Sequence, residues 1–319
     1  MIIKGIDFGN CILSSGALNF FGDGYWYEKY LRDVVPGYAA AVDRASFVTK
    51  TSVLKYRAGN LPLDENLQPL ELRPKCIKIY FFKGGGMILN DVSLSGPGLQ
   101  ALLERGDWQK IARPFFISIM AVGNTPEGRL YEIKAMIDLL LAYKNKFAAP
   151  VGLQINVSCP NTKHNPKDLA KESVRYLELA APLGWPVDLK INILVGNEVV
   201  KEVQDSRLCD VLTLSNTIPY GTPGIDWVKL FGKGGSPLAE FGNGGGLSGH
   251  PALPLVLRRI SELRSASINL PIKGSNGILR ARDVDAMKAA GADAIEISSA
   301  KILRPLNVPG IIARANQIF

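Results

Sequence analysis

Between Ile155 and Thr162 the chain reads Ile-Asn-Val-Ser-Cys-Pro-Asn-Thr, which brings the carboxamides of Asn156 and Asn161 close to the thiol of Cys159. A carboxamide offers a donor and an acceptor in one plane and suits planar amide ligands. A thiol with an ordinary pKa near 8.5 is a few per cent thiolate at neutral pH, so it can take a proton or attack carbon without extreme tuning. A lone cysteine is more often a small buried hydrophobe. The polar loop between Ser158 and Pro160 reverses that preference for Cys159. His164 is a rival base close by, and His250, after Gly249, reads as structural. With 2 histidines in the chain and no HExxH pattern, metal catalysis is discounted.

Such a cluster needs a rigid mount. The apolar run Val151 to Ile155 predicts a buried strand, and Pro160 prevents its continuation. Further strands are predicted at Cys11 to Ser14, Phe47 to Thr49, Phe115 to Met120, Val187 to Leu189, Val211 to Leu214, Pro271 to Gly274 and Ala294 to Ile297. Helical patterns fall between most of them: Tyr25 to Val35, a helix opened by Pro97, Pro126 to Lys146, Asp168 to Ala181, Asn197 to Gln204, Pro251 to Leu263, Arg280 to Ala290 and Val308 to Phe319. Ile77 to Phe82 reads as an added strand, and a loop of about 30 residues, ending in the glycine-rich stretch from Gly242 to Gly249, comes after the sixth strand. The alternation predicts an α/β fold, a (β/α)8 TIM barrel in one domain over residues 1–319, with small inserted strands and long loops over its carboxyl face. A doubly wound open sheet is the alternative, because strand order is not written in a sequence.

Composition narrows the class. Hydrophobic residues make up 47% and charged residues 21%, as in ordinary globular proteins, and no apolar run reaches membrane-spanning length. The amino terminus lacks the apolar core of a signal peptide, and the 4 cysteines are widely separated with no CxxC pair, so a cytoplasmic protein without disulfides is expected. A net charge of +8 favours anionic ligands, yet no Lys/Arg run with interleaved aromatics marks a nucleic-acid platform. Neither nucleic acid nor membrane is expected as a partner.

In a barrel all the strand ends open on one face. The residues directly after the strands here are Ser15-Gly16, Lys50-Thr51, Ser118, Asn156 with Cys159, Lys190, Ser215-Asn216-Thr217, Asn276-Gly277 and Ser298-Ser299. Loops are polar in general, which explains any one of these, but two lysines ending apolar strands each call for an anionic partner. The turns at Asn276-Gly277 and Ser298-Ser299 come after strands seven and eight, where barrels commonly bind phosphate.

These residues resemble the dihydroorotate dehydrogenases, FMN-dependent barrel enzymes of pyrimidine synthesis. The likeness runs in order through Ser14-Ser15-Gly16, Thr49-Lys50-Thr51 with Gly59-Asn60, Asn156 to Thr162, Lys190, Ser215-Asn216-Thr217, Gly245 to Gly249 and the two phosphate turns. It implies that Cys159 takes the C5 proton of dihydroorotate while hydride leaves C6 for the flavin. It implies a substrate pocket of Lys50, Asn90, Leu94, Asn156, Asn161, Asn216 and Thr217. The FMN site it implies is Ser15, Gly16, Lys50, Thr51, Ser118, Asn156, Lys190, Ser215, Gly249, Asn276, Gly277, Ser298 and Ser299. A cysteine base points to the soluble class, a homodimer whose acceptor is fumarate, or NAD through an iron–sulfur flavoprotein subunit. Three features depart from the family pattern. In the loop Asn90 to Gly96, Ser93 takes the place of a glycine and Gly96 that of a second asparagine; Asn276 and Ser298 each replace a glycine of the phosphate turns. An FMN oxidoreductase acting on another dihydropyrimidine or a related enone is the alternative activity. An RNA-acting flavoenzyme and a barrel that binds flavin without catalysis are weaker ones.

Overall fold

The computed structural model describes residues 1–83, 85–158, 170–242 and 244–319. Eight parallel strands close into a barrel: β1 (Cys11–Leu13), β2 (Phe47–Val48), β3 (Phe115–Ile119), β4 (Val151–Asn156), β5 (Val187–Ile191), β6 (Val211–Leu214), β7 (Ile272–Ser275) and β8 (Ala294–Ile297). Spatial order matches chain order, and β8 pairs with β1 through Ile295 and Cys11, so the expected TIM barrel is correct and the open sheet is excluded.

Side chains of a strand alternate between the two faces. One set, including Leu13, Phe115, Ile117, Leu153, Leu189 and Ile295, belongs to the large apolar shell beneath the helices. The other set points inward. At the amino-terminal end Ile12, Val48, Phe116 and Val211 close the barrel together with Ile3 and Phe8, which an amino-terminal hairpin (Ile2–Ile3 with Ile6–Asp7) carries under it. The Phe8 and Phe116 rings lie 4.3 Å apart. Residue 152 must be glycine here: a Cβ on Gly152 would sit 2.4 Å from the Phe116 ring.

The longest helix, Pro126–Tyr143, starts as the sequence dictates, with Pro126 in the first turn and the Thr125 hydroxyl accepting from the Gly128 N–H at 3.0 Å. It buries Ile133, Met136, Ile137 and Leu140, while Leu141 is 36% exposed. The segment expected as one helix from Tyr25 to Val35 forms only over Glu28–Val34, and a second helix, Tyr38–Arg44, starts beyond Gly37, whose φ of 72° turns the chain. Asn197 is the first residue of the helix Asn197–Ser206, and its side-chain oxygen accepts from Arg259 at 2.7 Å.

Over the mouth lies a small antiparallel sheet in the order Ile218–Pro219, Gly246–Gly249, Gly85–Asn90, Ile77–Phe82. Ile77 to Phe82 is the added strand that was expected, and Gly85 and Gly86 open its partner strand. The loop after β6 supplies two of the four strands and a short helix, Trp227–Phe231, over a satellite core of Met87, Leu89, Ile218, Leu238 and Leu247. Length is what allows this: the loop must cross the mouth to reach Gly85–Asn90.

Candidate active site

A cavity of about 590 Å³ opens at the carboxyl ends of the strands. Of the residues expected at the site, Ser15, Gly16, Lys50, Thr51, Asn90, Leu94, Asn156, Lys190, Ser215, Asn216, Thr217, Asn276, Gly277, Ser298 and Ser299 line it. Ser118 sits one layer beneath, fully buried, with its hydroxyl 2.9 Å from that of Thr51. Gly249 lies outside the lining; its N–H donates to the Asn276 side-chain oxygen at 3.1 Å. Cys159, Asn161 and His164 fall outside the described residues.

The carboxamides are oriented by partners within the protein. Asn156, at the end of β4, accepts from the Asn216 amide at 3.0 Å and from the Ser158 N–H at 3.2 Å. Asn216 accepts from the Thr217 N–H at 2.9 Å. Asn90 donates to the Gly246 carbonyl at 3.3 Å, so the cap sheet fixes it. Asn276 adopts φ 75°, a left-handed conformation that asparagine tolerates, and its amide donates to the Asn216 and Leu247 carbonyls at 3.3 and 3.2 Å. The change from glycine therefore ties the turn to the cap. Gly277, at φ 89°, packs on Leu253, whose backbone nitrogen would be 2.7 Å from an added Cβ.

The loop from Asn90 to Gly96 is rebuilt around its departures. Ser93 and Leu94 both have positive φ, 56° and 59°, and the Ser93 hydroxyl donates to Asp91 at 2.8 Å. Gly96 faces Phe20, whose ring would be 3.0 Å from a Cβ there, so an asparagine at 96 would crowd Phe20. Lys50 reaches the Ser95 carbonyl and lies 4.8 Å over the same Phe20 ring.

The second lysine finds its anion within the barrel, from a residue that sequence reasoning passed over. Lys190 donates to Glu296 at 2.8 Å and to the Ser14 hydroxyl at 3.1 Å, and Ser14 donates to the same Glu296 oxygen at 2.7 Å. The other Glu296 oxygen accepts from Lys273 at 3.0 Å, and Lys273 also pairs with Asp188 at 2.8 Å. Gln154 donates to Asp188 at 2.7 Å, and Thr213 lies 2.8 Å from it. Asp188, Lys273 and Glu296 are completely buried. Burial works against the Glu296 carboxylate, but the two ammonium groups and the Ser14 hydroxyl outweigh it and hold its pKa far below the usual range. Burial pushes Asp188 up despite Lys273, while Lys273 is raised because two carboxylates overcome its own desolvation. A signal was available: each of the three is a charge inside an apolar strand, where a buried charge calls for a partner.

Lys301, also missed, lines the cavity beside the Ser298-Ser299 turn and pairs with buried Glu28 at 2.9 Å. Desolvation pulls its ammonium down to about 8 in spite of that partner. Cys11, Cys76 and Cys209 are buried free thiols. Burial pushes Cys76 up to about 11 and the other two higher still, so none of them is a base at neutral pH. Among the described residues no group of three or more His, Cys, Asp or Glu could hold a metal ion, and no helix is long and apolar enough to cross a membrane.

A closed parallel barrel with a lysine-bearing cavity at its strand ends defines the class as a β/α-barrel protein with its candidate site at the carboxyl face. Residues 71–316 match the family model described as dihydroorotate dehydrogenase, and the chain belongs to that family. The chain is 31% identical over 238 residues to the "Dihydroorotate dehydrogenase B (NAD(+)), catalytic subunit" of Bacillus caldolyticus, covering 72% of this chain and 69% of that protein. The protein with the same description from Geobacillus kaustophilus matches equally well, at 31% identity over 238 residues. The fold agrees with the crystal structure of ligand-free dihydroorotate dehydrogenase from Eimeria tenella, with a TM-score of 0.68 over 100% of this chain and 86% of that one at 18% identity.

Proposed function

We propose that the protein oxidises dihydroorotate to orotate with FMN, in the cytoplasm, as a single barrel domain. The observation that carries the reading is the convergence of Lys50, Asn156, Lys190, Asn216 and both phosphate turns on one cavity. Its volume lies in the range of cofactor sites, and its mix of oriented carboxamides, ammonium groups and small-residue turns fits a phosphorylated planar cofactor beside a planar substrate. Ser15, Gly16, Lys50, Thr51, Asn156, Lys190, Ser215, Asn276, Gly277, Ser298 and Ser299 would hold FMN, with Ser118 supporting Thr51 from below. FMN supplies the hydride acceptor for C6 of the substrate. Asn90, Asn156, Asn161, Asn216 and Thr217 hold the pyrimidine amides, Lys50 faces the carboxylate, Leu94 closes the loop over the ring, and Cys159 takes the C5 proton. The buried state of the other three thiols supports this choice of base. The relatives named as catalytic subunits support electron transfer to a partner subunit and on to NAD, and the barrel would act there as a homodimer.

The test is Cys159→Ala. Flavin reduction by dihydroorotate is expected to slow by about 10²–10⁴-fold while FMN stays bound. An unchanged rate would remove Cys159 from the mechanism. Gly96 packed on Phe20 favours one second reading, a related dihydropyrimidine or enone without the carboxylate. Bleaching of the flavin by such an analogue and not by dihydroorotate would establish it.

A further inference from the structure

The four charges inside the barrel are arranged as an alternating chain: the Lys190 ammonium at the cavity, the Glu296 carboxylate, the Lys273 ammonium and the Asp188 carboxylate. We propose that Glu296 is the positioning residue for Lys190 and sets the reduction potential of the bound cofactor by neutralising part of the positive charge that Lys190 presents to it. The inference rests on the FMN reading above, and Glu296, Lys273 and Asp188 have no part in that reading.

Three observations carry it. First, Lys190 and Glu296 both line the cavity, and the ammonium is held from two sides by groups that also bind each other, the Ser14 hydroxyl and Glu296. These two contacts orient the ammonium. Second, Glu296 is itself fixed through its other oxygen by Lys273 at 3.0 Å, Gln154 at 3.2 Å and Thr213 at 3.4 Å, so it cannot swing away when the cavity fills. Third, the chain of charges is balanced, two ammonium groups against two carboxylates, and its far end is sealed: Lys273 lies 4.6 Å over the Phe116 ring of the apolar plug. No water or counter-ion is needed to satisfy it. With Glu296 buried among these partners, a charge change there is only partly screened from whatever lies against Lys190. Structural stability alone does not call for this design, because buried ion pairs are commonly no more stabilising than apolar residues of similar volume. The one member of the chain of charges that faces both the cavity and the buried pair is Glu296.

Reduction places negative charge on the flavin, which an ammonium stabilises. Removing the Glu296 charge strengthens that stabilisation; removing the Lys273–Asp188 pair leaves Glu296 less compensated and weakens it. The experiment is an anaerobic dithionite titration of the purified yellow protein against reference dyes, independent of any substrate. Glu296→Gln is expected to raise the ratio of reduced to oxidised flavin at a given potential by about tenfold, or ~30 mV for the two-electron couple. The charge-balanced Asp188→Asn/Lys273→Met variant shifts it the opposite way by less, and Glu296→Asp stays near wild type. Thermal unfolding of the apoprotein gives each variant's structural cost separately. If Glu296→Gln fails to fold, the double variant decides by sign: a downward shift supports the inference and an absent or upward shift overturns it. A folded Glu296→Gln with an unmoved potential also overturns it. Protein that binds FMN but is reduced by no pyrimidine refutes the proposed substrate and still permits this titration, whereas protein that binds no FMN overturns both.

Discussion

At the amino-terminal end of the barrel the interior is filled by Phe8, Ile12, Val48, Phe116 and Val211; two residues further along the same strands the inward positions are Ser14, Ser118 and Thr213, among Gln154, Asp188, Lys273 and Glu296. The strands are continuous and equally buried at both levels, so exposure to solvent does not account for the change. The lower layer gains from removing apolar area from water, whereas each group in the upper layer is tolerated only because a partner of opposite sign or a hydrogen-bond donor faces it. One end therefore tolerates substitution by any group of similar shape, and the other only substitutions that keep the charge balance. The ionic layer is also the floor of the cavity.

Five substitutions, two of them taken as a pair, put this contrast under strain. Lys273→Met leaves Asp188 and Glu296 facing each other without their shared cation and is expected to cost about 3–5 kcal/mol in urea unfolding, most of it recovered in the Asp188→Asn/Lys273→Met pair. Recovery failing in the pair would mean that shape, not charge, governs the layer. Phe116→Ala in the plug is expected to lose a similar ~3–5 kcal/mol, since the cavity it leaves is bounded by the hairpin and cannot collapse; ligand affinity at the mouth should not move.

At the mouth, Lys301 gives a pH signature that the plug lacks. Its folded pKa of about 8 lies below the 10.5 of an ordinary lysine, so between those values the unfolded chain binds more protons and stability rises with pH. Compared with Lys301→Met, the wild type should gain up to about 3 kcal/mol across that window in pH-dependent unfolding. A flat difference would show that Glu28 compensates the burial in full. The smallest effect belongs to the outer shell: Thr125→Ala removes a helix cap and should cost about 1 kcal/mol by the same measurement, with both inner layers untouched.

Much of this was legible in the chain. Eight short apolar runs separated by helical patterns led to the barrel because strand and helix periodicities are local, and the residues after the runs led to most of the cavity lining because a parallel barrel puts every strand end on one face. The split into Glu28–Val34 and Tyr38–Arg44 was missed because Pro36-Gly37 reads as an ending, and nothing local says that the chain resumes a helix on the other side. The cap was seen in pieces only, since Gly246–Gly249 has no strand character until Gly85–Asn90 lies beside it.

The alternation of elements, the family and the polar groups at the strand ends could be read from the chain alone, because each depends on residues close together in it. That Lys190 is answered by Glu296, Lys273 by Asp188 and Gly96 by Phe20 needed the folded barrel. Lys190 and Glu296 are separated by 106 positions in the chain. A charge in a strand announces that it needs a partner. Barrel closure and register select which one it meets.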